Sequence, residues 1–243
     1  MGVIPAGASS VFARQLRLGG DAPAAAGLLA EAIAAGRWRQ LGLGSVNGRM
    51  FTFSAGLGLE AETIRVVQEL RERRPDGRRP GDLAVVSAAW RTLRHDRFAL
   101  PVRMTVAAAG QRLRASYVAC GNGRPYTYFG RLPVRTTPQA GPASALDLTV
   151  IGGLRGRDLW RLPVYGLLWP RHVRGSDQRV AYLHDVDAAD IDCDQPVPLQ
   201  LDGEYLGMVE SARVRYHPAA VRVLIPAAAA ASFPAPEPAA AGR

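Results

Sequence analysis

The sequence predicts an α+β chain, helical toward its start and a β-sandwich over most of the remainder. Three observations predict it. Ile64, Val67 and Leu70 form one apolar stripe at helical spacing. The apolar period shifts toward two after Leu41, and from residue 102 onward short β-type runs alternate with turn residues. With 243 residues, 48% of them hydrophobic, the chain has ample material for a buried core.

Taken in order, residues 3–4 are expected to end a buried strand. The small-residue loop Pro5, Ala6, Gly7, Ala8, Ser9 and Ser10 then leads into a helix over residues 11–16, with Ser9 or Ser10 as N-cap. A second helix over residues 23–35 stops at Gly36. Residues 49–54 read as one strand running into Gly56 and Gly58, followed by the amphipathic helix 61–73. Residues 71–79 form a polar turn and 83–93 a further helix. Strands are expected at 102–107, 113–119, 146–150, 179–183, 189–193, 197–201, 212–216 and 221–225. The Ala/Pro-rich segment 226–243 is expected to be disordered. A chain that opens inside an apolar strand, at Gly2, is expected to lack an upstream portion.

Charge narrows the partners. The 30 basic residues are all Arg, and against 21 acidic ones they leave a net charge of +9, which favours nucleotides, phospholipid surfaces or nucleic acid. Nucleic acid is set aside, because the sequence has no recognition-helix pattern and no aromatic–basic interleaving. Cys120 and Cys193 can form neither a disulfide framework nor a Cys-only zinc site, so a reducing, cytoplasmic setting is expected. The first ten residues do not read as a signal peptide. No window reaches the ~18 uninterrupted apolar residues of a membrane span. Residues 159–169, interrupted by Arg161, Pro163 and Gly166, read as a short amphipathic segment. His95, His172, His184 and His217 lack metal-ligand spacing, and no metal site is expected.

Three short motifs could carry chemistry. Gly7, Ala8, Ser9 and Ser10 lie between strand and helix, where free backbone N–H groups can face a phosphate, although from these residues alone an ordinary capped turn is the better reading. Asp202 and Glu204 flank Gly203 in an L-D-G-E turn, either as a general base or metal-facing pair or simply as a hairpin turn. Asn122, one of only two asparagines with Asn47, lies between Gly121 and Gly123 before Tyr126 and reads as a polar turn or a site residue.

In this order the pieces resemble the bacterial diacylglycerol kinase-like lipid kinases, relatives of the sphingosine kinases, in their actinobacterial form. The stretch from Gly2 to Arg14 is similar to the family's G-[IV]-[IV]-P-x-G-[TS]-x-N-x-F-A-R. The stretch from Gly44 to Glu60 is similar to R-x-N-G-R-x-F-x-x-x-A-G-x-G-x-[DE]. Y-T-Y-F-G from Tyr126 and Y-L-H-D-V from Tyr182 match as well, and P-L-Q-L-D-G-E-Y-L-G from Pro198 is the most specific match. The resemblance implies the tail end of an α/β nucleotide-binding domain over residues 1–40. A C-terminal β-sandwich similar to that of NAD kinases then covers 41–225. It implies ATP between the two, with Mg²⁺, and a lipid hydroxyl at the membrane surface as phosphate acceptor. Glu204 would accept the hydroxyl proton beside Asp202, and Gly7 to Ser10 would face the nucleotide. The implied location is cytoplasmic, peripheral at the inner face of the membrane.

Departures from the family pattern are specific. The nucleotide loop G-G-D-G-[TS]-x-x-E is absent from these residues, Ala8 and Ser10 replace polar family residues, and the acidic D-x-x-x-D-G-x-L-D segment reads Q-A-G-P-A-S-A-L-D from Gln139 to Asp147. No structural Mg²⁺ is expected there. Two functions follow as alternatives. One is a lipid kinase whose upstream part is missing here. The other is a non-catalytic remnant, a β-sandwich module that binds anionic lipid or a partner. An open sheet edge left by a missing half-domain would aggregate or pair with another chain, for instance as a homodimer.

Overall fold

A computed structural model describes residues 1–7, 10–73, 87, 90, 94, 99–129, 132–155 and 179–233. The elements run α1 (Val11–Gln15), α2 (Ala22–Ala34), β1 (Trp38–Val46), β2 (Arg49–Phe51), β3 (Ser54–Gly58) and α3 (Leu59–Glu72). Next come β4 (Ala99–Leu100), β5 (Met104–Ala108), β6 (Gln111–Ala115), β7 (Tyr117–Gly121), β8 (Thr127–Phe129) and β9 (Leu132–Val134). Then follow β10 (Leu146–Ile151), β11 (Leu154–Arg155), β12 (Val180–Val186), β13 (Ala188–Leu201), β14 (Glu204–Leu224) and a 3₁₀ turn (Ala227–Ser232).

The α+β class expected from the sequence is the class observed. The sandwich is a single hydrogen-bonded sheet folded over on itself, with the order β12-β10-β7-β3-β13-β14-β1-β2 and a branch in which β5 joins β13 to β6. The fold turns on β13, whose first half pairs with β5 and whose last residues pair with β3. Between Asp192 and Val197 its register against β14 shifts, around Pro196, a residue with no N–H to offer a ladder. Both branches close on one apolar cluster that includes Phe51, Leu57, Val106, Val118, Leu148 and Ile191.

A second cluster packs α1 and α2 onto the start of β1 and the end of β14, through Leu16, Leu29, Leu41, Val223 and Ile225. α2 starts on Asp21, whose carboxylate accepts the Ala24 N–H at 2.9 Å. It ends with Arg37 N–H bonded to Ala32 O and Gly36 N–H to Ile33 O.

Several expected boundaries moved. Residues 3–4 form no strand; the chain start is instead held by Met1, whose carbonyl accepts Leu224 N–H at 2.9 Å. The single strand expected over 49–54 breaks at Thr52 and Phe53, where the chain leaves the β1 edge for β7 and β13. Residues 113–119 divide at Ser116, whose N–H bonds Ile151 O and whose hydroxyl bonds Gly152 O, turning the chain from β6 into the other branch. The paired segments expected within 189–201 and 212–225 are each one long strand. β14 pairs with β13 up to Arg215 and with β1 from Val214 onward, so one ladder takes over from the other, with a register irregularity in each. The start of the presumed disordered tail is ordered: Ala229 is buried, and Ala230 and Phe233 pack on the second cluster. The remainder of that tail, most of the helix expected at 83–93 and the amphipathic segment 159–169 lie outside the described residues. Among the described residues no helix is long and apolar enough to cross a membrane.

Candidate functional site

β13 and β14 meet in the L-D-G-E turn. Asp202 (φ 50°) and Gly203 (φ 83°) are both left-handed, and Leu201 pairs with Glu204, which is the geometry of a type I′ hairpin. Asp202 does more than turn the chain. Its Oδ2 accepts Thr52 N–H at 2.7 Å and the Thr52 hydroxyl at 2.9 Å. Its Oδ1 accepts the N–H groups of Phe53 at 2.9 Å and Ser54 at 3.1 Å. Four donors occupy the carboxylate, so Asp202 anchors the 52–54 connection to the turn. Glu204, one residue past the turn, is exposed and has no hydrogen-bond or ionic partner among the described residues.

Behind the turn lies a cluster that the sequence reading did not single out. α3 begins at Gly58, whose φ of 90° and closeness to the Ser116 carbonyl exclude a side chain. Two residues on, the Glu60 carboxyl is held by three neutral donors. Oε2 accepts the hydroxyls of Tyr117 at 3.0 Å and Tyr126 at 2.8 Å, and Oε1 faces Gln200 Nε2 at 3.3 Å. Burial raises the Glu60 carboxyl to about 7, against the smaller opposing effects of the Tyr126 and Tyr117 hydrogen bonds. The same burial, with the Glu60 charge added, pushes both phenols upward. Gly56 makes room for the arrangement: a Cβ there would lie 2.7 Å from Glu60 Oε2 and 2.9 Å from Gln200 Nε2. Glu60 closes the G-x-G-x-[DE] motif and Gln200 precedes L-D-G-E by one residue, so both stood inside motifs that had drawn notice. Tyr117 carried no pattern to mark it.

A cavity of about 300 Å³ opens beside the 52–54 connection, lined by Thr52, Asn122 and the arginines Arg14, Arg17 and Arg124. Asn122 is structural in its own contacts, donating its amide hydrogens to the carbonyls of Gly42 and Thr52, each at 2.9 Å. Arg14 stacks over the Tyr128 ring, 4.7 Å from its centroid.

The Gly7–Ser10 loop differs from expectation. Ser10 sits at the N-cap position of α1 in a left-handed conformation (φ 39°), and its hydroxyl donates to Gly7 O at 2.7 Å instead of capping the helix. α1 is only five residues long, and a helix that short sums few peptide dipoles. Ala8 and Ser9 lie outside the described residues. Among the described residues no hydrogen bond joins Gly7 or Ser10 to the L-D-G-E turn.

Segment 139–147 ends at Asp147, which is fully buried. Its carboxylate accepts the Tyr182 hydroxyl, meets His184 Nδ1 at 2.7 Å and accepts Asp185 N–H at 3.3 Å. Among the described residues, no group of three or more His, Cys, Asp or Glu is placed to hold a metal.

No protein-family profile matches the sequence, and no curated protein matches it. Solved structures share its fold. One provisionally assigned as a diacylglycerol kinase, from Bacillus anthracis str. Sterne, superposes with a TM-score of 0.65 at 19% identity, over 93% of this chain and 70% of its own. Another from the same organism, described as a diacylglycerol kinase, gives a TM-score of 0.60 at 15% identity, over 93% of this chain and 66% of its own. The chain thus has the fold of these proteins and spans about two thirds of their length.

Proposed function

We propose that the chain belongs to an ATP-dependent lipid kinase of the diacylglycerol kinase type, which transfers the γ-phosphate to a lipid hydroxyl. One observation carries the reading. Asp202 spends its whole carboxylate on Thr52, Phe53 and Ser54, which leaves Glu204 as the unpartnered carboxylate displayed on a rigid turn. In the reaction, Glu204 takes the proton of the lipid hydroxyl as that oxygen attacks the γ-phosphorus. The bond from the γ-phosphorus to the bridging oxygen breaks, and ADP leaves. The fold shared with the Bacillus anthracis proteins and the three arginines beside Thr52 support a phosphate-bearing substrate. Mg²⁺ would arrive with the nucleotide, neutralising phosphate charge. The described carboxylates build no cage of their own for it, and Asp202 has no oxygen to spare.

The test is transfer of labelled γ-phosphate to diacylglycerol in mixed micelles by the natural protein from its source cells, beside Glu204→Gln. Turnover is expected to fall about 10²–10⁴-fold in the variant. An active wild type with an equally active variant removes Glu204 from the mechanism. A wild type inert toward glycerolipids, sphingoid bases and polyprenyl lipids alike overturns the kinase reading.

The net charge of +9 favours a second reading, a module that binds anionic lipid. Co-sedimentation with phosphatidylglycerol vesicles should then weaken with salt. Binding indifferent to both lipid charge and salt ends that idea.

A further inference from the structure

We infer that Gln200 is a positioning residue that ties the L-D-G-E turn to the buried end of α3 through the Glu60 carboxyl. The inference rests on the turn being the working end of the molecule, as proposed above. Gln200 is fully buried, so both ends of its amide need partners. Its Oε1 accepts the Gly203 N–H at 2.9 Å, while its Nε2 lies 3.3 Å from Glu60 Oε1 and 3.3 Å from the Tyr126 hydroxyl. One side chain therefore joins the residue before Glu204 to the carboxyl at the start of α3.

The cluster has two proton arrangements. Tyr126 has a single hydroxyl hydrogen and two acceptors in reach, Glu60 Oε2 at 2.8 Å and Ala55 O at 3.1 Å. With Glu60 ionised, both phenols donate to Oε2 and the Gln200 amide donates to a charged Oε1. With Glu60 protonated, the carboxyl hydrogen turns to the Tyr126 oxygen and the Tyr126 hydrogen turns to Ala55 O. Gln200 then faces a neutral acceptor and loses the charge-assisted share of its bond. The groups facing Glu60 are Tyr117 from β7, Tyr126 from the turn before β8 and Gln200 from β13. Among the described residues no Arg or His acts on this carboxyl. The exchange between the two arrangements falls near neutral pH, and Gln200 passes it to Gly203.

The experiment is an amide NMR titration of the chain from about pH 5.5 to about pH 8.5, a range that brackets the Glu60 value. The Gly203 resonance is expected to move with a midpoint near 7 and to stop moving in Glu60→Gln. Tyr117→Phe removes a hydrogen bond that favours the ionised form, so it is expected to raise the midpoint. It also keeps the test alive should Glu60→Gln fail to fold. A Gly203 resonance that stays flat in the wild type overturns the inference. So does a midpoint unchanged in Glu60→Gln or in Tyr117→Phe. None of these readouts involves lipid phosphorylation, so failure of the kinase reading and failure of the relay are told apart.

Discussion

The β13–β14 hairpin is held by carboxylates at both of its ends, under opposite conditions. At the L-D-G-E end, Asp202 gathers three backbone N–H groups and a hydroxyl in a partly buried cradle, and Glu60 sits behind it among phenols and an amide. At the other end Asp192 and Asp194 are exposed and Asp190 is half-buried. Arg213 Nη1 is 3.1 Å from Asp192, Arg215 Nη1 is 2.8 Å from Asp190, and Arg114 grips Asp194 across from β6. The side chains of Arg213 and Asp192 are 47% and 67% exposed, so water screens their attraction. At the L-D-G-E end the carboxylates are held by neutral N–H and O–H donors, at the other end by guanidinium groups. Burial decides which contacts fix the structure, and the buried set lies where the candidate site is.

The largest effect is expected at Asp202. Asp202→Ala strands the N–H groups of Thr52, Phe53 and Ser54 and should cost about 4 kcal/mol in urea unfolding. Asp202→Asn keeps one acceptor and tolerates the left-handed backbone, so it should recover about half of that loss. A cost below about 1 kcal/mol for the Ala variant would show that the cradle is not what holds this end.

Next in size is Glu60, whose effect depends on pH. Folding raises this carboxyl from an ordinary 4.5 to about 7, so the folded state holds a proton that the unfolded chain has released. Its contribution is full below about pH 4.5 and is lost as pH rises through about 7, a change of about 3 kcal/mol at 1.36 kcal/mol per pH unit. Glu60→Gln should remove that slope, leaving a variant whose stability gains on the wild type as pH rises from 5 to about 8. Parallel urea midpoints for the two proteins across this range would contradict the assignment.

Gly56→Ala should follow at about 2 kcal/mol, because the new methyl meets Glu60 and Gln200 at under 3 Å. It should also shift the apparent Glu60 midpoint, which an overpacked site elsewhere in the sheet would not do. The smallest effect belongs to the exposed end: Arg213→Ala should cost less than about 1 kcal/mol, and less still in high salt. A loss of several kcal/mol there would erase the distinction between the two ends.

The local parts of this account were readable in the residues. The stripe on Ile64, Val67 and Leu70 marked α3, and Asp202-Gly203 marked a hairpin that the structure forms as type I′. What could not be read was which distant segments meet. Glu60 reaches Tyr117, Tyr126 and Gln200 across 57, 66 and 140 residues of chain, a convergence set by the order β7-β3-β13 within the sheet. Local pattern likewise divided β14 at residues 217–220, where only the distant β1 ladder, across a register irregularity, continues the strand. The Gly7–Ser10 loop shows the converse: Ser10 takes the expected N-cap position, but its hydroxyl bonds Gly7 O instead of the helix.

The most direct test of the central claim, that buried carboxylate contacts pre-organise the L-D-G-E end, is native-state hydrogen exchange at the amides of Thr52, Phe53 and Ser54. Thr52 and Phe53 lie between strands, outside any ladder, so an ordinary loop would let them exchange quickly. The account predicts that all three exchange as slowly as the neighbouring β3 ladder, that Asp202→Ala abolishes this protection, and that Arg213→Ala leaves it intact. Loop-like exchange of Thr52 and Phe53 in the wild type would contradict it.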